Sequence, residues 1–198
     1  YKTKIDAWSQ EFRLGYDGSD DFSWVIGANY SEDKLVEDST LFAGGLLSLQ
    51  LGGATIAKQD YEQETKAAAI YGHSDWQFAP KFNLVLEARY TKEDKSLLGG
   101  TGLPQASVTL SHADDEKSFS SLSGKVGLEY KPTTNSLLYT SVSKGFKSGG
   151  FFGGFATSNA QLEPFDNSQP NSRHTYDGLT FIQNRNLLWA FSGALAGR

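Results

Sequence analysis

The amino-acid sequence predicts an all-β protein that forms one wall of an antiparallel transmembrane β-barrel, with six to eight strands. The first observation is that six segments alternate apolar and polar residues, so that one face suits lipid and the other suits water. The second is that short and long connections alternate between them, which places the long loops on one rim and the short turns on the other. A soluble β-sandwich has no reason to sort its connections in this way.

The composition supports strands and excludes several other classes. Among 198 residues there are 13 Phe, 9 Tyr and 4 Trp but only 5 Pro, and aromatic residues favour a pleated surface whereas Pro interrupts its ladder. No apolar run approaches the roughly 18 residues of a membrane helix. The net charge of -5 offers no basic footprint for nucleic acid. The lack of Cys excludes disulfides, thiolate metal sites and cysteine nucleophiles.

The first two strands are predicted to form a hairpin. Residues 8–16 form the first strand, residues 17–20 are rich in Asp and Gly and form a tight turn, and residues 22–31 form the second strand. From 32–63 the alternation lapses into charged residues and a glycine-rich stretch, which predicts a long loop on the functional rim. Its apolar middle at 46–53 fits a short helix or a hairpin, and the sequence does not choose between them.

The third and fourth strands are predicted at 65–76 and 82–90, joined by a short turn at 77–81 that contains a Pro. The third strand is the hardest to place in register because three consecutive alanines mark no face. The fourth is the cleanest, with large apolar residues at every second position. A second long loop is predicted over 91–117.

The fifth and sixth strands are predicted at 119–131 and 136–146, with residues 132–135 as the short turn between them. A glycine-rich stretch, 145–154, follows the sixth strand on the long-loop rim. The predicted strands have about 9 to 13 residues, which agrees with the roughly 9 to 11 residues that a tilted strand needs to cross the hydrocarbon.

Charged side chains on the predicted water-facing side alternate in sign between neighbouring strands. They provide either a ligand path or cross-strand ion pairs that stiffen the wall of a hydrated lumen, and we favour the ion pairs because every large barrel has many. These candidate lumen residues are Glu11, Arg13, Glu87, Arg89, Lys125 and Glu129.

The glycine-rich stretch carries the aromatic candidates for the rim: Phe146, Phe151, Phe152 and Phe155. The stretch contains no phosphate-binding G-x-x-x-x-G-K-[ST] pattern, so we interpret its glycines as permitting the strand to bend at the rim. The four rings either pack inside the mouth of the barrel or contact a ligand, and packing is the favoured interpretation.

No motif predicts an enzyme, a metal site or a cofactor. The sequence has no G-x-S-x-G elbow of a serine hydrolase. Its histidines, His73, His112 and His174, stand far apart, without the spacing of metal ligands. The acidic run 114–116 lacks the alternating ligands and the glycine of a calcium loop.

Four stretches resemble the barrel of TonB-dependent outer-membrane receptors, and the last two are the most specific. They are WSQEFRL at 8–14, ARYTKE at 88–93, LSGKVGLEYKP at 122–132 and LYTSVSKGFKSGGF at 138–151. The resemblance implies an antiparallel barrel of 22 strands with a plug in its lumen. It also implies import of a scarce ligand, such as a ferric siderophore, cobalamin or a glycan, across the outer membrane of a Gram-negative bacterium. The TonB complex would energise this import only through the plug, which these residues do not include.

The resemblance divides the chain into a partial receptor barrel at 1–166 and a degraded or truncated continuation at 167–198. Because the chain lacks Met and opens in a strand pattern, we interpret it as a fragment, with any export signal upstream. Open sheet edges are costly in hydrocarbon, so we expect no ligand-specific flux from the isolated fragment in liposomes. Two alternatives are a complete eight-stranded barrel with a structural role and a soluble β-sandwich binding module.

Overall fold

The computed structural model describes residues 2–42, 55–134, 136–166, 175–184 and 187–196, with side chains as far as residue 166. Eight strands form one sheet in chain order, and all neighbours are antiparallel. The strands are β1 (Lys2–Ser19), β2 (Phe22–Phe42), β3 (Thr55–Ala79), β4 (Phe82–Leu103), β5 (Val108–Thr133), β6 (Ser136–Lys144), β7 (Thr175–Asn184) and β8 (Leu187–Ala196). Within these ranges no helix is long and apolar enough to cross a membrane.

The sheet is a single open layer, which confirms the predicted antiparallel wall and rules out a two-sheet sandwich for the described residues. Each strand pairs with its neighbours in sequence, and among the described strands β1 and β8 do not pair with each other. A closed barrel of eight strands requires that pairing, because closure is what removes the free edges. The described sheet is therefore an arc of a wall.

Side chains alternate between two faces along β1 to β6, as strand geometry requires. We call the face with the even-numbered residues the outward face and the other the inward face. Large apolar side chains on the outward face stay exposed, among them Phe12 at 71%, Ile70 at 63% and Leu122 at 60%. Apolar exposure on this scale is stable only against lipid, because in water it is the signature of an unoccupied interface.

Two rows of aromatic rings bound the apolar band on the outward face. At the short-turn end the rings of Trp76, Phe78, Phe82 and Tyr130 form a continuous row, with successive centroids 5.9, 5.9 and 4.6 Å apart. At the other end Trp8 and Tyr30 lie 5.7 Å apart, and Tyr90 lies on the same face. The stretch from Phe82 to Tyr90 is long enough to cross the hydrocarbon, and aromatic rings prefer its two interfaces.

The predicted long loops are in large part strands, which corrects the sequence interpretation. β2 and β3 continue through the described parts of 32–63, while the apolar middle at 46–53 lies outside the described residues. In 91–117 only the 3₁₀ helix Pro104–Ala106 and Ser107, which has φ 54°, separate β4 from β5. The paired strands continue above the membrane with polar residues on both faces, so the apolar alternation that reveals a strand disappears while the backbone ladder continues.

The outward face changes from aromatic to charged directly above the Tyr30 and Tyr90 row. Lysines and carboxylates pair there along and across the strands. The pairs are Lys34–Glu62 at 2.5 Å, Lys66–Glu64 at 2.9 Å, Lys58–Asp38 at 3.3 Å and Lys92–Asp94 at 3.3 Å. Exposed pairs contribute little individually, but their position marks where the sheet leaves the hydrocarbon.

Acid is expected to weaken the link between β4 and β5 at Asp94. The hydroxyl of Ser118 donates to Asp94 at 2.5 Å, and this bond together with the Lys92 ammonium holds the pKa of that carboxyl below its ordinary value. A lowered folded-state pKa stabilises the fold at neutral pH, and the contribution is lost as the pH falls through that pKa. Ser118→Ala should therefore reduce the urea midpoint at pH 7 but much less at an acidic pH where Asp94 is protonated. An equal loss at both pH values contradicts this assignment.

Candidate functional site

The predicted lumen residues all lie on the inward face, and the structure brings the first group together across three strands. The Arg13 guanidinium lies 2.5 Å from the Glu11 carboxylate, and the Tyr71 hydroxyl donates to the other oxygen of Glu11 at 2.6 Å. The Arg89 guanidinium stacks over the Tyr71 ring, 5.6 Å from its centroid, and its Nε donates to Thr91 at 3.1 Å. Tyr71 thus links β1 to β4, although it is not among the charged candidates.

A glycine in β2 makes this link possible. Gly27 pairs with Tyr71 in the ladder, and the Tyr71 side chain passes over it on the way from β3 to Glu11. A Cβ on Gly27 would lie 2.5 Å from the Tyr71 hydroxyl oxygen and 2.8 Å from the ring edge. An aromatic ring that covers a glycine in a neighbouring strand is a known way to fix register in a sheet.

The second group continues the network toward the short-turn rim. His73 lies between two carboxylates, with Nε2 2.6 Å from Asp75 and Nδ1 3.4 Å from Glu87. The Lys125 ammonium is 3.7 Å from the same Glu87 carboxylate. The Asn83 amide then donates to Asp75 at 3.3 Å and to Glu129 at 3.5 Å. These side chains connect β3, β4 and β5 from the level of His73 down to the level of Asn83.

Two grooves lie on this inward face. One of about 450 Å³ lies between Arg89 and Lys125, and Tyr71, His73 and Glu87 also line it. The other, of about 860 Å³, lies at the short-turn rim and is lined mainly by carboxylates and amides. No cluster of three or more metal-ligating side chains occurs in the part of the chain that the structure describes. The arrangement is a hydrated wall of paired charges.

The glycine-rich segment does not stay at the rim but folds back over the inward face of the long hairpins. Phe151 is partly buried there, whereas Phe152 and Phe155 are 47% and 43% exposed. Phe146, at the start of the segment, is half-buried. Of the other predicted positions, the His112 backbone amide donates to Asn159, and His174 lies outside the described residues.

Sequence reasoning missed the neutral members of the site. Tyr71, Asn83 and Thr91 each form a hydrogen bond with a charged side chain of the site. Their odd residue numbers could have placed them on the same face as Glu87 and Arg89, because alternate residues of a strand share one face. The spacing of His73 predicts no metal site, and of its two carboxylate neighbours Asp75 lies two residues along the same strand, whereas Glu87 is brought to it by the pairing of β3 with β4.

Gly27→Ala and Tyr71→Phe are expected to produce the same defect. The first pushes the ring off β2 and so breaks the hydrogen bond to Glu11, and the second removes its donor. Each should lower the urea midpoint of the folded chain, and the double variant should be no less stable than the weaker single one, because both changes remove one interaction. Additive losses would show that Gly27 has a role apart from Tyr71. Gly72→Ala is the matched control, since its Cβ meets nothing closer than 3.7 Å.

The fold and the two faces together define the class of protein as the wall of a membrane-spanning β-barrel. The chain belongs to the family of TonB-dependent receptor-like β-barrels, whose model matches residues 1–189. This is a family of receptors and transporters of the Gram-negative outer membrane and is not an enzyme family. The division of the chain at residue 166 stays a prediction.

One similar solved structure is the ferric yersiniabactin uptake receptor FyuA from Yersinia pestis. The superposition has a TM-score of 0.75 and covers 92% of this chain, at 12% sequence identity. This chain spans 26% of the length of that receptor chain. No curated protein matches the chain. At this identity the similarity shows the fold, and the number of strands in the parent barrel stays a prediction.

Proposed function

We propose that the chain forms part of the lumen wall and the extracellular mouth of an outer-membrane receptor that imports a scarce ligand. The ligand belongs to the class of ferric siderophores, cobalamin or glycans. The observation that carries the proposal is the combination of a lipid-facing apolar band with a continuous polar network on the opposite face. A purely structural barrel needs the first of these but has no need of a broad polar lumen.

The inward charges stiffen this wall and set the electrostatic character of the lumen. Glu11, Glu87 and Glu129 each contact a cation, so the carboxylates are largely compensated. The Arg13 side chain remains 66% exposed despite its ion pair. Cations that are held in place by carboxylates and still face water can attract an anionic ligand without a large rearrangement.

The exposed rings of the folded-back segment are the proposed ligand contacts at the mouth. Phe152 and Phe155 offer apolar faces to the lumen side while their neighbour Phe151 packs against the wall. Ring faces contribute strongly to recognition when they are held in place, because little side-chain entropy is lost on binding. Energy coupling would come from the TonB complex through a plug domain in the complete receptor.

Uptake measurements test this proposal. The gene that encodes this chain is expressed complete in a Gram-negative host that lacks its own siderophore receptors, and uptake of labelled ferric siderophores, cobalamin and oligosaccharides is measured. We expect uptake of one ligand class that disappears when the host lacks TonB. No uptake of any class, from protein that is folded in the outer membrane, would favour the structural role.

Removal of the two exposed phenylalanine rings is expected to weaken uptake of the ligand. Phe152→Ala combined with Phe155→Ala should raise the ligand concentration for half-maximal uptake about tenfold or more, as loss of central aromatic contacts does. Lys147→Ala is the matched control, because Lys147 is exposed on the same segment but outside the pair of rings. Unchanged uptake in the double variant would remove these two residues from the ligand site and leave the receptor assignment intact.

A further inference from the structure

Residues 150–165 form a loop that is closed on itself. The Gly150 amide donates to the Phe165 carbonyl at 3.2 Å, and the Phe165 amide donates to the Gly150 carbonyl at 2.9 Å. Sixteen residues whose ends are joined in this way make a compact Ω-loop, which moves or stays as a unit. A short 3₁₀ helix, Asn159–Gln161, lies near its centre.

The Ω-loop inserts apolar side chains into the inward face of the long hairpins. Ala156 and Leu162 are 0% and 1% exposed, and they pack with Tyr61 of β3, Leu97 of β4 and Ala113 of β5. This cluster is the apolar core of the described residues, and it exists only while the loop is docked. Undocking would return all five side chains to water.

Polar contacts surround this cluster and tie the loop to two of the same strands, β3 and β5. The buried Ser111 hydroxyl donates to the Ala156 carbonyl at 2.9 Å, and the His112 amide donates to the Asn159 side chain at 2.8 Å. The Gln59 amide reaches the Gly153 carbonyl at 3.5 Å. The docked loop therefore supplies the hydrogen-bond partner that the buried Ser111 hydroxyl needs.

The segment just before the loop is fixed as well. The Lys95 ammonium donates to the Gly149 carbonyl at 2.9 Å and pairs with Glu93 at 3.0 Å, and Glu93 accepts from the Ser148 hydroxyl. A Cβ on Gly149 would collide with the Phe119 ring and the Phe165 carbonyl, so only glycine fits at this entry point.

We propose that the Ω-loop of residues 150–165 is a permanently docked strap. It holds the long β2–β3 and β4–β5 hairpins together on the lumen side and fixes the aperture of the mouth, and it does not open as a lid when a ligand enters. The physical reason is that undocking of the loop would break the apolar cluster and three hydrogen bonds at the same time, while Lys95 holds the entry to the loop at Gly149. The strap does not depend on which ligand the receptor takes.

Cysteine labelling tests the strap in the full chain, folded in lipid vesicles, since the sequence has no native Cys. Ala156→Cys and Phe155→Cys are compared with a membrane-impermeant maleimide; the two residues are adjacent, but only Phe155 is exposed. We expect labelling at position 156 to be at least about a hundredfold slower, because it requires undocking. Leu97→Ala removes a side chain against which the loop packs, so it should remove most of the difference in labelling rate. Equal labelling of the two positions in folded chain would overturn the proposal.

Hydrogen exchange of the unsubstituted chain gives a second readout. The His112 amide should exchange slowly because it donates to Asn159, and Asn159→Ala should make it fast while the β4–β5 ladder above and below stays protected. Fast exchange at His112 in the unsubstituted chain would show that the loop undocks readily. The loop would then be a lid, and the proposal of a docked strap would be wrong. This measurement remains decisive if Leu97→Ala does not fold.

Discussion

Val142→Arg is expected to destabilise the sheet by about 2–4 kcal/mol, the cost of a cationic side chain on the lipid face at the bilayer midplane. Val142 is 57% exposed on the outward face of β6. It lies in one row with Val126 and Leu86, half-way between the two aromatic rows that bound the apolar band. No water or counter-charge is available at that depth, so the guanidinium must reach toward an interface or distort the bilayer.

Ser141→Arg is the matched control for this variant. Ser141 precedes Val142 in the same strand and at nearly the same depth, but it points to the inward face. On that face the Glu129 carboxylate already forms an ion pair with a lysine, so a positive charge is tolerated. Urea unfolding of both variants in lipid vesicles should show a loss for Val142→Arg and nearly none for Ser141→Arg. If the two losses were equal, the assignment of the faces to lipid and lumen would be wrong.

The sequence predicted the membrane-crossing part of each strand because lipid enforces a strict pattern there. Phe82 to Tyr90 alternates with the single exception of Val85, and the structure places its even residues outward and its odd residues inward. The weak register of the third strand is resolved by its partners, since Tyr71 reaches Glu11 inward and Trp76 joins the outward aromatic row. Alternation is therefore sufficient where large apolar and polar residues mark the two faces, which the three alanines of the third strand do not.

The strand extensions above the membrane could not be predicted from alternation. From Glu32 and from Thr91 onward both faces meet water or protein, so a polar residue carries no information about its side. The backbone ladder, which holds these strands, leaves no periodic signal in the sequence. The docking of the Ω-loop was equally hidden, because Leu97 and Leu162 are isolated apolar residues that meet only across 65 positions of chain.

The second prediction of large effect concerns Gly99, a glycine in the extension of β4 above the membrane. Gly99 has a φ of 125°, a conformation that side chains rarely adopt, and an added Cβ would collide with the Asp60 carbonyl of β3. The backbone strain alone costs about 1–3 kcal/mol, and relief of the collision must separate β3 from β4 where Tyr61 joins the apolar cluster. Gly99→Ala should therefore lower the free energy needed to open the β4–β5 hairpin by about 3 kcal/mol, while the membrane-crossing strands stay paired.

Limited proteolysis measures this local opening, since cleavage tracks the population of the open form when opening is fast. We expect trypsin to cut the hairpin of folded Gly99→Ala about a hundredfold faster, the equivalent of nearly 3 kcal/mol. Gly102→Ala provides the control in the same strand, because its Cβ meets only the Val108 carbonyl at 3.4 Å. Equal rates for the two variants would mean that β3 and β4 tolerate separation at Gly99. The strap, which depends on Tyr61 and Leu97 remaining side by side, would then have lost its rigid support.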